Sequence, residues 1–443
     1  MAASVFDSPL HARLFPVGNA GRLFTDSAAV RAMLLVEGAL AKAQGAQGII
    51  PELSAAAIHR ASLEIAIDPG AIAAATGENG VSVPGLVAAF RTEMNAPEHA
   101  QFVHWGATSQ DIIDTGLMLR LRQLLMLAEA DLHDILAHLA TQAETHAETP
   151  MAARTWGQHA TPTSWGAVVA DWGHALCDLR DALPALRDVS LLVSLSGAAG
   201  TSSALGPDAA ATRAAMAEAL GLGDPGRSWH VDRGPILRIA DWLVQVTDVF
   251  ARMGATLTAL AATDLAEIGL GATGASSTMP QKQNPVTAGV LQALGHQATG
   301  LRAALGPAGR HMHQRDGAAW FTEWMVLPQL CLGAACALQH AGKIVATLQP
   351  DVDRMRANVD RTQGLIHAEA LSFALARNLP RPEAQKRTKS LCASARDSGT
   401  PLETLARSAH PDLPDDLFSA AHSLGDAPAQ ARAFAARART RAA

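Results

Sequence analysis

From Asp111 to about Glu148 no proline interrupts the chain, and Leu117, Leu121, Leu124, Ala128, Leu132, Ile135 and Leu139 recur at intervals of three and four. That spacing returns an apolar side chain to the same face of a helix at every turn, so it predicts one long helix. A second begins after Pro235, where Leu243, Val246, Phe250, Met253, Leu257 and Leu260 follow a heptad-like pattern that suits packing in a bundle. Further helices are predicted from Val286 to about Leu305 and from Glu323 to about Leu348, the latter stopped by Pro350. The first hundred residues are broken at Pro51, Pro69-Gly70, Gly77 to Gly80 and Pro84-Gly85, which predicts short helices, with Asp26 or Ser27 capping the one through Val30, Leu34, Leu35 and Leu40. Val189 to Leu195, with the glycines beyond, predicts a small hairpin or an extended excursion. After Pro350 shorter helices are separated by Gly364, Pro380, Pro382 and Gly399. The expected fold is all-α, with an N-terminal helical domain over 1–105, a central long-helix bundle over 106–350 and a C-terminal helical domain over 351–443.

Composition sharpens this expectation. Of the 443 residues 49% are hydrophobic, only 4% are aromatic and none is tyrosine; alanine-rich segments of this kind favour close-packed helices over a β-sandwich. With 17% charged residues, a bundle so long and apolar exposes too much surface as a monomer, and oligomerisation is expected. The formal net charge of −6 argues against a nucleic-acid partner, which would call for a basic face, and an anionic substrate would need local positive sites. Cys177, Cys331, Cys336 and Cys392 lack CxxC spacing and the density of a disulfide framework, so free thiols in a reducing compartment are expected and metal ligation has no support. The start, MAASVFDSPLHARLF, has neither the basic region nor the apolar core of a secretory signal, and no stretch of 18 uncharged apolar residues stands out. A soluble, cytoplasmic protein without a membrane partner is the expectation.

Four segments carry candidate chemistry. Gly274 to Pro285 sets Ser276, Ser277, Met279, Lys282 and Asn284 in one glycine- and serine-rich loop: two hydroxyls, an ammonium and an amide that suit the handling of an oxyanion, with Asn284 and Pro285 placed to start a helix as N-cap and first-turn residue. The bland reading, a polar turn between helices, explains the Gly, Ser and Pro of this loop but not Met279, Lys282 and Asn284 together. His104, Thr108, Ser109 and Asp111 lead into the first long helix, where hydroxyls and backbone N–H groups attract a carboxylate; alone, Thr108, Ser109 and Asp111 are equally good caps. Arg154, Thr155, Trp156, Gln158 and His159 form a polar turn inside a helical region. Arg315, in His311 to Trp324, offers a bidentate fork to a carboxylate, or pairs with Asp316 or another acid of the bundle.

The loop resembles the mobile signature loop of the fumarase/aspartase superfamily, G-S-S-x-M-P-x-K-x-N-P, with Ala275 in place of one glycine. The segment around His159 is similar to that superfamily's second conserved region, with Trp156 where many members carry the histidine that protonates the leaving group. In the third region Arg315 is retained and Trp324 replaces a second arginine of the nucleotide-binding members. Together with Val103 to Asp111, Trp320 to Trp324 and Gly364 to Ile366, these segments resemble the cycloisomerase branch that closes 3-carboxy-cis,cis-muconate to a carboxymuconolactone. Gln281 and Gln283 depart from the His and Arg common in that branch. The resemblance implies a homotetramer with sites shared between subunits, a small tricarboxylate substrate, and no cofactor or metal. It implies Ser276, Lys282, Asn284 and His159 as catalytic residues, with His104, Thr108, Ser109, Thr155, Trp156, Gln158, Ser277, Met279 and Arg315 against the substrate. An adenylosuccinate lyase-like β-elimination, or a non-catalytic structural role, are the alternatives.

Overall fold

The computed structural model describes residues 4–271, 274–275 and 278–440, and these are almost wholly helical. Five helices position the candidate chemistry: α1 (Asp26–Ala46), α2 (Ser109–Thr145), α3 (Gly234–Leu260), α4 (Val286–Leu305) and α5 (Gly317–Thr347). Every position that carried the periodicity of α2 and α3 is buried, from Leu117 to Leu139 and from Leu243 to Leu260. Each buried leucine contributes ~1.5–3 kcal/mol by leaving water, so the repeat of three and four is the stripe that holds each helix to its neighbours. On α1, Val30, Leu34 and Leu40 are buried while Leu35 is half-exposed.

Six short strands accompany them among the described residues. β1 (Pro150–Thr155) and β2 (Gln158–Ser164) form an antiparallel hairpin. β3 (Ile268–Leu270) pairs with β6 (Leu348–Pro350), and β4 (Gly274–Ala275) with β5 (Gln283–Asn284). The chain divides into two compact units, and the divisions fall inside α2, α3, α4 and α5 and at the end of the Trp165–Asp181 helix. The first unit comprises residues up to Asp131, Asp181–Thr247 and Leu294–Gln339; the second comprises Leu132–Arg180, Asp248–Ala293 and the chain from His340. The second has a hydrophobic cluster of its own around Leu371, Leu375, Leu402 and Leu413.

Two local expectations are corrected and a third is narrowed. Thr25, not Asp26 or Ser27, caps α1: its hydroxyl accepts from the Ala28 N–H at 3.2 Å, because the cap is the last residue outside helical φ and ψ. Pro285, not Asn284, occupies the cap position of α4, since its carbonyl takes the first helical bond, from the Gly289 N–H, while Asn284 is held in β5. Of the two alternatives for Val189 to Leu195, the chain takes the extended excursion rather than the hairpin. Ser190 still belongs to the Leu183–Ser190 helix, Leu192 forms a single parallel bridge to Gly223, and the strap beyond it bonds to α2 through Ser194 and Ser196. Among the described helices α5 is long and apolar enough to cross a membrane by length and composition, yet 61% of its most apolar window is buried within the protein, as in a core helix.

Candidate active site

In the first unit the start of α2 is fixed by Asp111. One carboxylate oxygen accepts from the backbone N–H of Thr108 at 3.0 Å and of Gly197 at 2.9 Å; the other accepts from the Ser196 N–H at 2.8 Å and the Ser194 hydroxyl at 3.2 Å, and meets His230 Nε2 at 2.8 Å. The carboxylate is wholly buried, and this many donors stabilise its charge where an unpaired carboxylate would be costly. The sequence suggests Asp111 as a cap; its wider task, tying the Ser194–Gly197 strap to the helix, depends on residues eighty positions away and has no local signal.

Arg315 lies against this helix start. Its Nε donates to Gln110 Oε1 at 2.8 Å, and its Nη2 to Thr108 Oγ1 at 3.4 Å and to the Ala198 carbonyl at 3.2 Å. All three acceptors are neutral. Asp316, the sequence's alternative partner, is engaged as the cap of α5, accepting from the Ala318 N–H at 2.9 Å. The guanidinium thus keeps an uncancelled positive charge beside the positive end of a 37-residue helix, a place that attracts a carboxylate. Gln110 also donates to Asp114 and to the His230 carbonyl. Asp114 belongs to a fully buried triad in which Arg233 makes two bonds to it, at 2.6 and 3.0 Å, and two to Glu323, at 2.9 and 2.8 Å. Burial is the largest influence on Glu323 and raises its pKa. Nothing in the sequence marks Gln110 as the residue that orients Arg315.

His104 sits at the end of a strained turn, with φ 65° followed by Gly106 at φ 74°. A side chain on Gly106 would press a Cβ to 2.8 Å from the Ala204 carbonyl oxygen, so both the left-handed backbone and the close approach demand glycine. The Nδ1 of His104 meets buried Glu37 at 2.7 Å. Burial opposes the charged ring, but the hydrogen bond and charge of Glu37 prevail and raise its pKa above the ordinary value. His311, outside the residues singled out from sequence, has its Nδ1 accepting from the Asp316 N–H at 3.2 Å and a buried Nε2 with no hydrogen-bond partner among the described residues. Burial, then the nearby Arg233, lowers its pKa, so the neutral ring presents an unused N–H.

In the second unit the β1–β2 turn is a two-residue loop in which Thr155 pairs with Gln158 around Trp156 and Gly157. Both turn residues have positive φ, 55° and 71°, as a hairpin of this length needs. Glycine adopts that conformation freely; tryptophan does so at a cost of ~1–3 kcal/mol. Trp156 is also 100% exposed. His159 faces Arg154 across the hairpin, and its Nδ1 is buried with no hydrogen-bond partner among the described residues. Burial, and then the charge of Arg154, lowers its pKa, so it is a neutral imidazole near pH 7. Arg154 is anchored in turn by Glu267, at 2.9 and 2.5 Å, and Asn358 donates to the same carboxylate at 2.8 Å. Glu267 and Asn358 therefore set the hairpin's position, and no motif announces them.

The signature loop is cinched at its base by the pairing of Gly274 with Asn284 and of Ala275 with Gln283. Within it the Lys282 N–H donates to the Met279 carbonyl at 3.0 Å. Lys282 and Met279 are exposed and Asn284 half-buried. Ser276 and Ser277 lie outside the described residues. Thr108, Ser109, His104 and Arg315 are thus gathered in the first unit, and Thr155 to His159 and Met279 to Asn284 in the second. Among the described residues no group of three or more His, Cys, Asp or Glu is placed to hold a metal ion.

A sequence profile described as a lyase family matches residues 18–300. A 3-carboxy-cis,cis-muconate cycloisomerase of Pseudomonas aeruginosa is 39% identical over 429 residues, covering 94% of this chain and 92% of that protein. A nitrosuccinate lyase of Streptomyces davaonensis is 34% identical, over 89% and 86% of the two chains. The crystal structure of a 3-carboxy-cis,cis-muconate lactonizing enzyme from Pseudomonas putida superposes with a TM-score of 0.90 at 34% identity, covering 98% of this chain and 99% of that one.

Proposed function

The chain belongs to the lyase family, and from that premise we propose that it closes 3-carboxy-cis,cis-muconate to 4-carboxymuconolactone by adding a substrate carboxylate across a double bond. The observation that carries this reading is near full-length similarity, at 39% identity, to a 3-carboxy-cis,cis-muconate cycloisomerase. Trp156 supports it chemically. A carboxylate that joins or leaves carbon has a conjugate acid of pKa about 4 and needs no proton to depart, so a tryptophan in place of the leaving-group acid is tolerable here, whereas an expelled amine needs a donor.

The difficult species is the carbanion beside a carboxylate, whose charge spreads onto the carboxylate oxygens as an aci-acid; stabilising it is the main task. Lys282, Asn284 and loop N–H groups hold that charge, and Ser276 delivers the proton to carbon. In reverse Ser276 removes the proton, which requires Lys282 and closure of the loop to make its alkoxide accessible. Arg315, with Thr108, Ser109 and His104, binds a substrate carboxylate at the start of α2. Thr155, Trp156, Gln158, Ser277 and Met279 line the remainder, and neutral His159 accepts a hydrogen bond from the substrate or relays a proton. The site is completed by bringing these groups together from different subunits of a homotetramer, in the cytoplasm, where its four buried cysteines stay reduced. The N-terminal cap (1–105), shared bundle (106–350) and C-terminal domain (351–443) are the proposed working parts.

Loss of the muconate's ultraviolet absorbance on adding enzyme tests the activity, and no change would overturn it. Ser276→Ala is expected to lower turnover by orders of magnitude in a folded protein; near-normal kcat would remove Ser276 from its role. A second reading, β-elimination from a substituted succinate, is favoured by the 34% identity with a nitrosuccinate lyase; formation of an unsaturated dicarboxylate in parallel assays with succinate derivatives, adenylosuccinate among them, distinguishes it.

A further inference from the structure

A cavity of about 640 Å³ in the first unit is walled by α1, by α2 and by the Gly18–Phe24 turn that precedes α1. Its charged side chains are Arg22, Arg31 and Arg120, and its wall includes no Asp or Glu. Each guanidinium is held in place, and only by neutral acceptors. Arg31 donates to the Ser62 and Leu63 carbonyls at 2.6 and 2.9 Å, Arg22 to Asn19 Oδ1 at 2.6 Å, and Arg120 to the Leu23 carbonyl at 3.3 Å. None of the three has a carboxylate partner among the described residues. The Nε of Arg120 is buried with no hydrogen-bond partner, and burial lowers the pKa of this guanidinium.

Three like charges around one space repel each other, and half-buried Arg120, whose Nε is shielded from solvent, has no counter-charge to offset that repulsion. A second cavity, of about 330 Å³ and also bordered by Arg120, does not relieve it. Asp26 and Glu323 stand in that wall, but both oxygens of Glu323 are taken by Arg233 and neither acid pairs with Arg120. The arrangement is that of an anion receptor: forks pre-oriented by neutral oxygens, with donors left over, around a space the size of a small-molecule site. Asn19 and Gln123 add neutral donors, and Leu23, Leu35 and Leu127 an apolar floor.

We propose that the cavity between α1 and α2 is a second ligand site, separate from the reaction site, that binds a small polyanion bearing two or more carboxylate or phosphate groups through Arg22, Arg31 and Arg120. Arg120 lies eleven residues beyond Ser109 on the same helix, about 16 Å along its axis, so a ligand on Arg120 does not occupy the helix start where Arg315 sits. The proposal stands without the assignment of the reaction, because binding rather than turnover reports it.

The experiment is calorimetric titration of the full-length chain with citrate, with inorganic phosphate and with sodium chloride at matched ionic strength, repeated on Arg22→Gln, Arg31→Gln and Arg315→Gln. Saturable binding of citrate or phosphate, absent with chloride, is expected, and whichever of the two binds tighter identifies the anion class. Arg22→Gln, before α1, and Arg31→Gln, at a partly exposed position of α1, are each expected to weaken binding at least tenfold while the far-ultraviolet circular dichroism stays native. Arg315→Gln should leave this binding within twofold. Binding that is lost in Arg315→Gln but kept in Arg22→Gln and Arg31→Gln would place the anion at the reaction site and overturn the proposal. So would the absence of saturable binding in the native chain.

Discussion

At the scale of single residues, Trp156 is the sharpest case, because its backbone and its side chain both stand at a disadvantage in the isolated chain. A fully exposed indole in left-handed backbone is retained against a local cost, which points to a role for the ring. Asparagine suits that turn position far better, so Trp156→Asn is expected to raise stability by up to ~1 kcal/mol and to lower kcat/KM in the same protein. Paired urea melts and steady-state kinetics check this; a variant that is both more stable and fully active would leave Trp156 as a turn residue only. Arg315 poses the complementary question. Its bonds to Gln110, Thr108 and Ala198 are all to neutral acceptors, so its charge is spare. Removing one charge-assisted contact in Arg315→Gln should cost ~1.5–3 kcal/mol of substrate binding, roughly 10- to 100-fold in kcat/KM, with little change in melting temperature.

His104 adds a pH dependence whose sign follows from its environment. Its pKa in the folded chain is raised above 6.5 through the bond to Glu37. The stabilisation from this pair is therefore fully present below pH 6.5 and is lost as pH rises through the higher folded value. The histidines with lowered values, His159 and His311 among them, act in the opposite direction, favouring the fold until pH falls below 6.5. The informative quantity is thus the difference between native and His104→Gln protein across pH 6 to 9. It is expected to be largest at the acid end and to shrink towards the alkaline end; a difference that is flat with pH would mean that the ring's pKa is the same in the folded and unfolded chain.

At the scale of elements, legibility followed locality. The apolar stripes of α2 and α3 lie within one helix each, so every position that the spacing picked out, from Leu117 to Leu139 and from Leu243 to Leu260, is buried. The polar turn after β1 was legible as a turn because Gly157 and its neighbours are contiguous. What holds these elements in register was not legible, because the partners are remote: Arg154 with Glu267 and Asn358, Asp111 with Ser196, Gly197 and His230, Arg233 with Asp114 and Glu323. The corrected cap of α4 has a similar cause, since pairing of Asn284 with Gly274 overrides its local preference to cap. The buried Arg233 triad carries the largest consequence. Arg233→Met strands two buried carboxylates, one of them already raised in pKa by burial, and should destabilise the chain by ~3–5 kcal/mol. Chemical denaturation measures it, and a loss below about 1 kcal/mol would show that water reaches the site.

At the scale of the whole molecule, the residues proposed to act together belong to different compact units, with Arg315 and Thr108 in one and Lys282 and His159 in the other. If different chains of a homotetramer supply them to one site, two inactive variants can repair each other. Arg315→Gln and Lys282→Ala each damage a different group, so every site in either homotetramer is defective. When the two are denatured together and refolded in equal amounts, subunits assort at random. A site that draws its Arg315 from one chain and its Lys282 from another then receives two native residues in roughly a quarter of cases. Activity should therefore return towards about a quarter of the native level in the mixture and not in either variant alone. Sedimentation of the same samples must show a tetramer. A mixture as inactive as its components, despite tetramer formation, would mean that one chain supplies both residues and that assembly serves stability rather than chemistry.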